Sequence, residues 1–407
     1  MFNLFNGKRN ILTEKFYYEK LYEKEFDAEV ISQTEHNGKF HVVLNKTLFF
    51  PGGGGQPCDT GFIDGVEVIE VSEHDHEIVH VLTGELKNKK IHGVLNWQRR
   101  FEFMQQHLGE HIFAGMLYNL HQLHTARMRI EGENISIDID TPVTEKIIFE
   151  AEAAANEAVW KDIPVEILYP SMDEVKMFAR KLPPENAELP VRIVKIEGVD
   201  YVPCCGVHVS STGQVGLIKI TSFENHKGGT RIYLKCGTAA YKWLRSLYDE
   251  VRKAESELVC GYEGINEKIL NLKTQIKDLK IENEKTLEKF LRPLAEDLAK
   301  NKIVRYVMKD STQNDLKHLF RLITEINSHA VVFLACVNSE GVFVMFGTNR
   351  ENKNLDVRPA FRKIISMLDG KGGGSSFSAQ GFAGVKNPEY IEAALDEAVK
   401  IMEESLK

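Results

Sequence analysis

FHVVLNKTLFF (40–50) runs directly into PGGGGQPCDTG (51–61), and this junction decides how the first quarter of the chain is read. A run of β-branched and aromatic residues ends at a proline and four consecutive glycines, so a strand gives way to a sharp turn. Short extended segments follow in FIDGVEVIEVS (62–72), HEIVHVLTG (76–84) and HGVLNW (92–97), separated by glycine-containing turns. Over 26–98 the pattern predicts a small barrel or sandwich. PGGGGQP is not a P-loop: it lacks the lysine and Ser/Thr ending, and no clear helix follows. It reads as a tight turn or, more sharply, as a backbone-lined wall that a small ligand can approach closely.

From residue 99 the period changes. RRFEFMQQHLGEHIFAGMLYNLHQL places Phe103, His107, His111 or Ile112, Met116 and Leu120 at helical spacing. A second helix is expected over TEKIIFEAEAAANEAVWKD (144–162), with Thr144 as its N-cap. Residues 163–236 return to strands: VEILYP, VRIVKIEG, YVPCCGVHVS, VGLIKITSFE and RIYLKCG. Residues 241–300 are helix-forming. One heptad register runs Leu244, Leu247, Val251, Ala254, Leu258, and a second runs Ile269, Leu272, Ile276, Leu279, Asn283, Thr286, Phe290. CGYEG (260–264) separates them, giving a helical hairpin or a coiled-coil pair. In the tail, IVRYVMKD, AVVFLACV and GVFVMFG read as strands and RPAFRKIISML as a helix. The loop DGKGGGSSFSAQGFAG follows, and Asn387 with Pro388 starts the last helix.

Composition bounds the rest. The 407 residues are 43% hydrophobic and 27% charged, ordinary for a globular chain and enough for two to four domains. The longest apolar stretch, HAVVFLACV (329–337), is far shorter than the ~20 residues of a membrane-spanning helix. MFNLFNGKRN carries no apolar secretory core. The net charge of −8 argues against indiscriminate polyanion binding while leaving room for a local basic patch. Six dispersed cysteines (58, 204, 205, 236, 260, 336) form no disulfide framework, which points to a reducing, cytoplasmic setting.

Two constellations carry chemistry. His107-Leu-Gly-Glu-His111 puts imidazoles at i and i+4 on one helical face, where both can reach one metal ion. Gly109, a costly residue inside a helix, marks a close approach. Cys204-Cys205-Gly-Val-His208 offers a thiolate and an imidazole at C-x-x-x-H spacing. Each pair alone is weak, because histidines of this spacing are common on helix surfaces and cysteines are often simply buried. Two such pairs, one on a helix and one on a loop, point together to zinc. The first pair also fits the inverted zinc-peptidase motif with Glu110 as general base, but that leaves Cys204 and His208 without a role. Glu110 is expected to face solvent. Near the C-terminus, Arg350, Lys353, Arg358, Arg362, Lys363, Lys371 and Lys386 outnumber Glu351, Asp356 and Asp369 around KGGGSSFSAQG, a combination suited to a nucleic-acid backbone or to a plain surface loop.

These blocks resemble a known family. WQRRFEFMQQHLGEH resembles the H-x-x-x-H segment of alanyl-tRNA editing proteins and of the alanyl-tRNA synthetase editing domain. PCCGVHVSSTGQVGLIKI resembles their C-G-G-T-H-V segment, KGGTRIYLKCG their G-G-x-R-I-x-F strand, and TLFFPGGGGQPCDTG their T-x-F-Y-P-x-G-G-G-Q-P-x-D-T-G signature. The four blocks keep the family's order over residues 13–236, and the remainder looks like the C-terminal part of the long forms, similar to the DHHA1-type domain. Three features depart from the pattern: Cys205 stands where glycine is usual, Val207 where threonine is usual, and the C-terminal loop keeps Gly372–Gly374, Gln380 and Gly381 with SSFS in between.

The resemblance implies an α+β protein in four parts. These are an N-terminal β-barrel (1–98), a zinc-binding editing domain of the synthetase second-additional-domain type (99–238), a coiled-coil-like helical linker (239–300) and a DHHA1-like α/β domain (301–407). No segment resembles an ATP-binding aminoacylation domain. The implied activity is trans-editing: zinc-dependent hydrolysis of tRNA(Ala) mischarged chiefly with serine, with glycine as a second substrate. The implied ligands of one zinc per chain are His107, His111, Cys204 and His208. Thr47 matches the residue that senses the serine hydroxyl; Gln56 is implied in catalysis, and Gly53, Gly54 and Gly55 line the substrate pocket. Arg358, Arg362, Lys363, Lys371, Gly372, Gly373, Gly374 and Gln380 would meet RNA. A non-catalytic, zinc-stabilised tRNA-binding module remains the alternative. No membrane partner is expected; the heptads suit a homodimer, or a monomer if the hairpin folds back.

Overall fold

The computed structural model describes residues 13–405 except 75–76, 186, 188 and 350–354. The chain divides into two compact units, Met1–Lys253 and Ala254–Lys407.

In the first unit six strands close on themselves. Glu25–His36 pairs with Lys39–Leu44, which pairs with Glu77–Leu82, then Val66–His74, Gly61–Ile63 and Lys90–Leu95, and the last returns to Glu25–His36. Closure leaves no free edge. The barrel's alternation is clearest in Gly61–Ile63 and Lys90–Leu95, where Ile63, Ile91 and Leu95 point inward. Asn96 then caps the helix Trp97–His121 by accepting a bond from the Arg99 N–H. This helix is not half-wet. Residues 103–115 are all buried, because one side meets the barrel core (Phe49, Phe50, Ile63) and the other a four-stranded antiparallel sheet. That sheet runs Ile218–His226, Gly229–Cys236, Asn134–Ile139, Thr125–Glu131. Barrel, helix and sheet therefore share one hydrophobic core.

The helix Glu145–Trp160 packs against the 97–121 helix and its sheet through Ile148, Ala151, Ala155 and Val159. Thr144 occupies its N-cap position, but the hydroxyl makes no capping bond. A three-stranded antiparallel sheet, Val165–Leu168, Ile193–Ile196, Asp200–Pro203, completes the unit and carries Cys204 at its end.

In the second unit a five-stranded sheet runs Ile303–Lys309, Val331–Val337, Val342–Thr348, Ser378–Ala383, Lys371–Gly374. Every residue of Val331–Val337 is buried. Val331, Phe333 and Ala335 face one apolar cluster, and Val332, Leu334 and Cys336 face another, which explains why the strand reads as an unbroken apolar run. The helices Arg358–Met367 and Pro388–Ser405 cover the first face; Gln313–Ile326 and the end of Ile265–Leu298 cover the second. The stretch expected as a loop, 369–384, is instead a hairpin of Lys371–Gly374 and Ser378–Ala383. Gly372 and Gly374 permit it: a Cβ there would come within 2.4 Å of the Gln380 carbonyl and 2.1 Å of the Ser378 carbonyl.

The heptad residues Leu244, Leu247, Val251, Ile269, Leu272, Ile276 and Leu279 are exposed on their helices. No described helix is long and apolar enough to cross a membrane.

Candidate metal centre

The helical spacing of His107 and His111 does bring their rings together, with centroids 5.1 Å apart and nearly parallel. The loop after Pro203 brings His208 to 4.5 Å from His107 and 4.9 Å from His111. Cys204 completes the group, its Sγ 3.4 Å from His107 Nε2 and 3.6 Å from His208 Nε2. The ligand atoms of all four residues lie within 4.8 Å of one another.

These residues fit zinc. A tetrahedral zinc with thiolate and imidazole ligands sets the sulfur–nitrogen edge at about 3.5 Å. His111 Nε2 is buried and has no hydrogen-bond partner, so a donor atom aims inward at nothing in the protein. Burial pushes the Cys204 thiol up, but the imidazoles of His107, His208 and His111 outweigh it and hold the group well below the usual thiol range, as a thiolate. Burial lowers His208 to about 3. At His111 burial is outweighed by the Cys204 charge and the Asp200 hydrogen bond, which raise it to about 10, so a metal bound there would displace a proton from His111.

Each of two ligands is held from behind. His107 Nδ1 donates to Gln56 Oε1 at 2.8 Å, and the same oxygen accepts the Val207 N–H at 3.2 Å. Both bonds require the amide oxygen there, which fixes the His107 tautomer and leaves Nε2 for the metal. His111 Nδ1 donates to Asp200 Oδ2 at 3.0 Å, while Arg180 grips Asp200 through Nε and Nη2 at 2.8 and 3.2 Å. Asp200 and Arg180 carry no signal in the sequence, since they enter through the pairing of Asp200–Pro203, about ninety positions from His111. Gly206 is needed because a Cβ would sit 2.2 Å from His107 Cε1.

The glycine stretch lies directly on this cluster. Gly53 and Gln56 exchange backbone bonds at 3.0 Å, so Gly54 and Gly55 form a two-residue turn with φ of +60° and +85°. A Cβ on Gly54 would stand 3.5 Å from His107 Cε1 and 3.7 Å from Cys204 Sγ, and one on Gly53 3.2 Å from Cys205 Sγ. The Gly55 carbonyl accepts the Ile130 N–H, pinning the turn to the neighbouring sheet. Turn and wall are thus one object. Gln56 Nε2 is buried without a partner.

Glu110 is a correction. It is 5% exposed, not solvent-facing, because its helix is enclosed on both sides. Burial first, and then the Glu110 charge, push the Cys236 thiol up. Cys236 Sγ also accounts for Gly109, where a Cβ would lie 2.3 Å from it.

Thr47 is fully buried, and its Oγ1 lies 2.8 Å from His80 Nε2 and accepts the Phe49 N–H. His80 Nδ1 donates to the Val42 carbonyl, so its Nε2 is the acceptor and the Thr47 proton points to His80.

In the second unit Lys371, Gly373 and Gln380 share one sheet face, since Gly373 pairs with Gln380 and Lys371 with the exposed Phe382. Arg358, Arg362 and Lys363 are exposed on the helix that covers the opposite face, so these residues do not form one patch. Arg358 is tied to Asp356 at 2.7 Å. Arg350, Glu351 and Lys353 lie outside the described residues.

Over 403 residues the chain is 30% identical to the alanyl-tRNA editing protein AlaX-L of Pyrococcus horikoshii, covering 95% of this chain and 98% of that one. The chain belongs to the alanyl-tRNA editing protein family. It is 31% identical to Aarsd1 of Danio rerio, covering 92% and 95% of the two chains. It is also 29% identical to the alanine–tRNA ligase of Methanobrevibacter smithii, across 96% of this chain and 46% of the ligase. Residues 191–233 match the threonyl and alanyl tRNA synthetase second additional domain, and 299–406 match the DHHA1 domain. The first match spans the Cys204–His208 loop.

Proposed function

We propose that this family member hydrolyses the ester of tRNA(Ala) mischarged with serine, and of the glycyl form, at the His107–His111–Cys204–His208 centre. The observation that carries the reading is the enclosed four-residue cluster with the glycine turn laid over it. A zinc ion held there would polarise the ester carbonyl or acidify a water molecule. Gln56 and Asp200 keep His107 and His111 in the ligating tautomer, and the buried Gln56 Nε2 is a free donor for a substrate oxygen. The Gly53–Gly55 turn lets the aminoacyl group approach without meeting a side chain. No side-chain nucleophile is required, because an aminoacyl ester is already activated.

Selectivity follows from hydrogen-bond polarity. The Thr47 proton is committed to His80, so Thr47 can only accept a further bond, and the seryl hydroxyl is a donor that alanine lacks. The 99–238 segment acts as the editing domain behind the 1–98 barrel, with 239–300 as linker. The 301–407 domain, through Lys371, Gly372–Gly374 and Gln380, contacts tRNA, and the exposed heptads pair two chains. Six free thiols suit the cytoplasm.

The decisive variants are Cys204→Ala and Glu110→Gln. Editing at the four-residue centre predicts that the first abolishes deacylation of seryl-tRNA(Ala) and the second leaves it largely intact. A peptidase built on Glu110 predicts the reverse.

A further inference from the structure

We propose that Arg192, braced on Tyr18, binds the phosphate joining the last two nucleotides of the tRNA. The inference rests on the editing reading and deepens it.

Arg192 is half-buried just before the strand Ile193–Ile196, opposite the Cys204 end of the paired strand Asp200–Pro203, and is locked in place without being neutralised. Its Nη1 donates to the Cys204 carbonyl at 2.7 Å, and its guanidinium lies 4.6 Å above the Tyr18 ring. Tyr18 is itself fixed, its hydroxyl donating to the Cys205 carbonyl at 2.5 Å. Arg192 Nε is buried and has no partner. The nearby cations differ: Arg180 is paired with Asp200 and Lys195 with Glu197. Glu73, whose charge reaches Cys205 and Tyr18, is taken by Lys15 at 2.6 Å. Among the described residues Arg192 makes no ion pair.

A half-buried guanidinium with an orphaned N–H costs free energy unless an anion meets it, and a planar fork matches phosphate oxygens. The location selects which phosphate. Nη1 bonds the carbonyl of the ligand Cys204, so it stands within about 7 Å of that residue's sulfur by bond geometry. An ester held at the cluster puts the phosphate of the terminal nucleoside one ribose away. Tyr18 spans from the Arg192 guanidinium to the Cys205 carbonyl, and Cys205 is exposed on the same loop.

The test is a cycle of four deacylation rates. Seryl-tRNA(Ala) is made with the native linkage and with a neutral methylphosphonate between its last two nucleotides, and each is given to wild type and to Arg192→Ala. Either change alone should slow kcat/KM roughly tenfold to a hundredfold, and both together should slow it no further. Arg192→Gln, which keeps an uncharged N–H donor near the Nε position, should behave like the alanine variant and keep full zinc content. Losses that multiply, or a methylphosphonate without effect in wild type, would overturn the proposal. Wild type that spares the unmodified seryl-tRNA would instead refute the editing reading, and the Arg192 proposal with it. Loss of zinc in Arg192→Gln would reduce Arg192 to a brace for the ligand loop.

Discussion

Residues 52–55 and 372–374 are both runs of glycine, and they are glycine for different physical reasons. In the first run every φ is positive, a backbone that side-chain-bearing residues rarely adopt, and the turn rests on the metal cluster. In the second no φ is positive, and glycine is needed because two of the three positions face the partner strand's backbone at close range. The first run also rests on His107 and Cys204, whose cluster is backed by buried polar bonds, His107 on Gln56 and His111 on Asp200. The second sits on an apolar sheet. Identical composition therefore marks a functional turn in one place and a packing solution in the other.

The contrast should be largest under acid. Burial lowers His80 from 6.5 to about 4, opposed by its bond to Val42. Between those values the unfolded chain binds the proton and the folded chain does not, so stability rises with pH and is lost as pH falls through this window. The loss should be about 2 kcal/mol between pH 7 and 5 and about 3 kcal/mol in full below pH 4. Denaturant midpoints for wild type and His80→Gln should diverge in slope over pH 4–6.5, and equal slopes would remove His80 from the account.

Next in size is the support behind the ligands. Asp200→Asn keeps the shape but gives His111 a weaker acceptor and leaves Arg180 without its charge partner. Zinc affinity, read by competition with a chelator, should fall 10- to 100-fold, on the order of what lost ligand support costs. An unchanged affinity would make the Asp200–Arg180 pair purely structural.

The glycines themselves grade from large to none. Gly55→Ala meets both a positive φ and the Met128 carbonyl at 2.9 Å, so it should cost about 2 kcal/mol and weaken zinc binding. Gly374→Ala should disturb the 371–383 hairpin and leave zinc affinity untouched. Gly373→Ala has open space and should stay within about 0.5 kcal/mol of wild type. Equal effects at 55 and 373 would break the comparison.

Much of this was legible in the sequence, and the failures are instructive. Periodicity located the 97–121 helix and put His107 and His111 on one face, because i,i+4 geometry is local. It misjudged Glu110, since the pattern of one helix does not say that both its sides are covered. The 371–383 hairpin was missed because glycine carries no strand propensity, and only the partner strand's backbone shows why it pairs there. Asp200, Arg180, Arg192 and Tyr18 left no trace at all. Each acts through a contact made by distant strand pairing, and none sits at a spacing that chemistry would single out.

The most direct test of the central claim is deacylation of seryl-tRNA(Ala) beside alanyl-tRNA(Ala), with the protein zinc-loaded and after chelation. The account predicts rapid, zinc-dependent loss of serine with alanine spared. Tight tRNA binding without turnover in either form would contradict it and leave the cluster as a structural staple in a tRNA-binding protein.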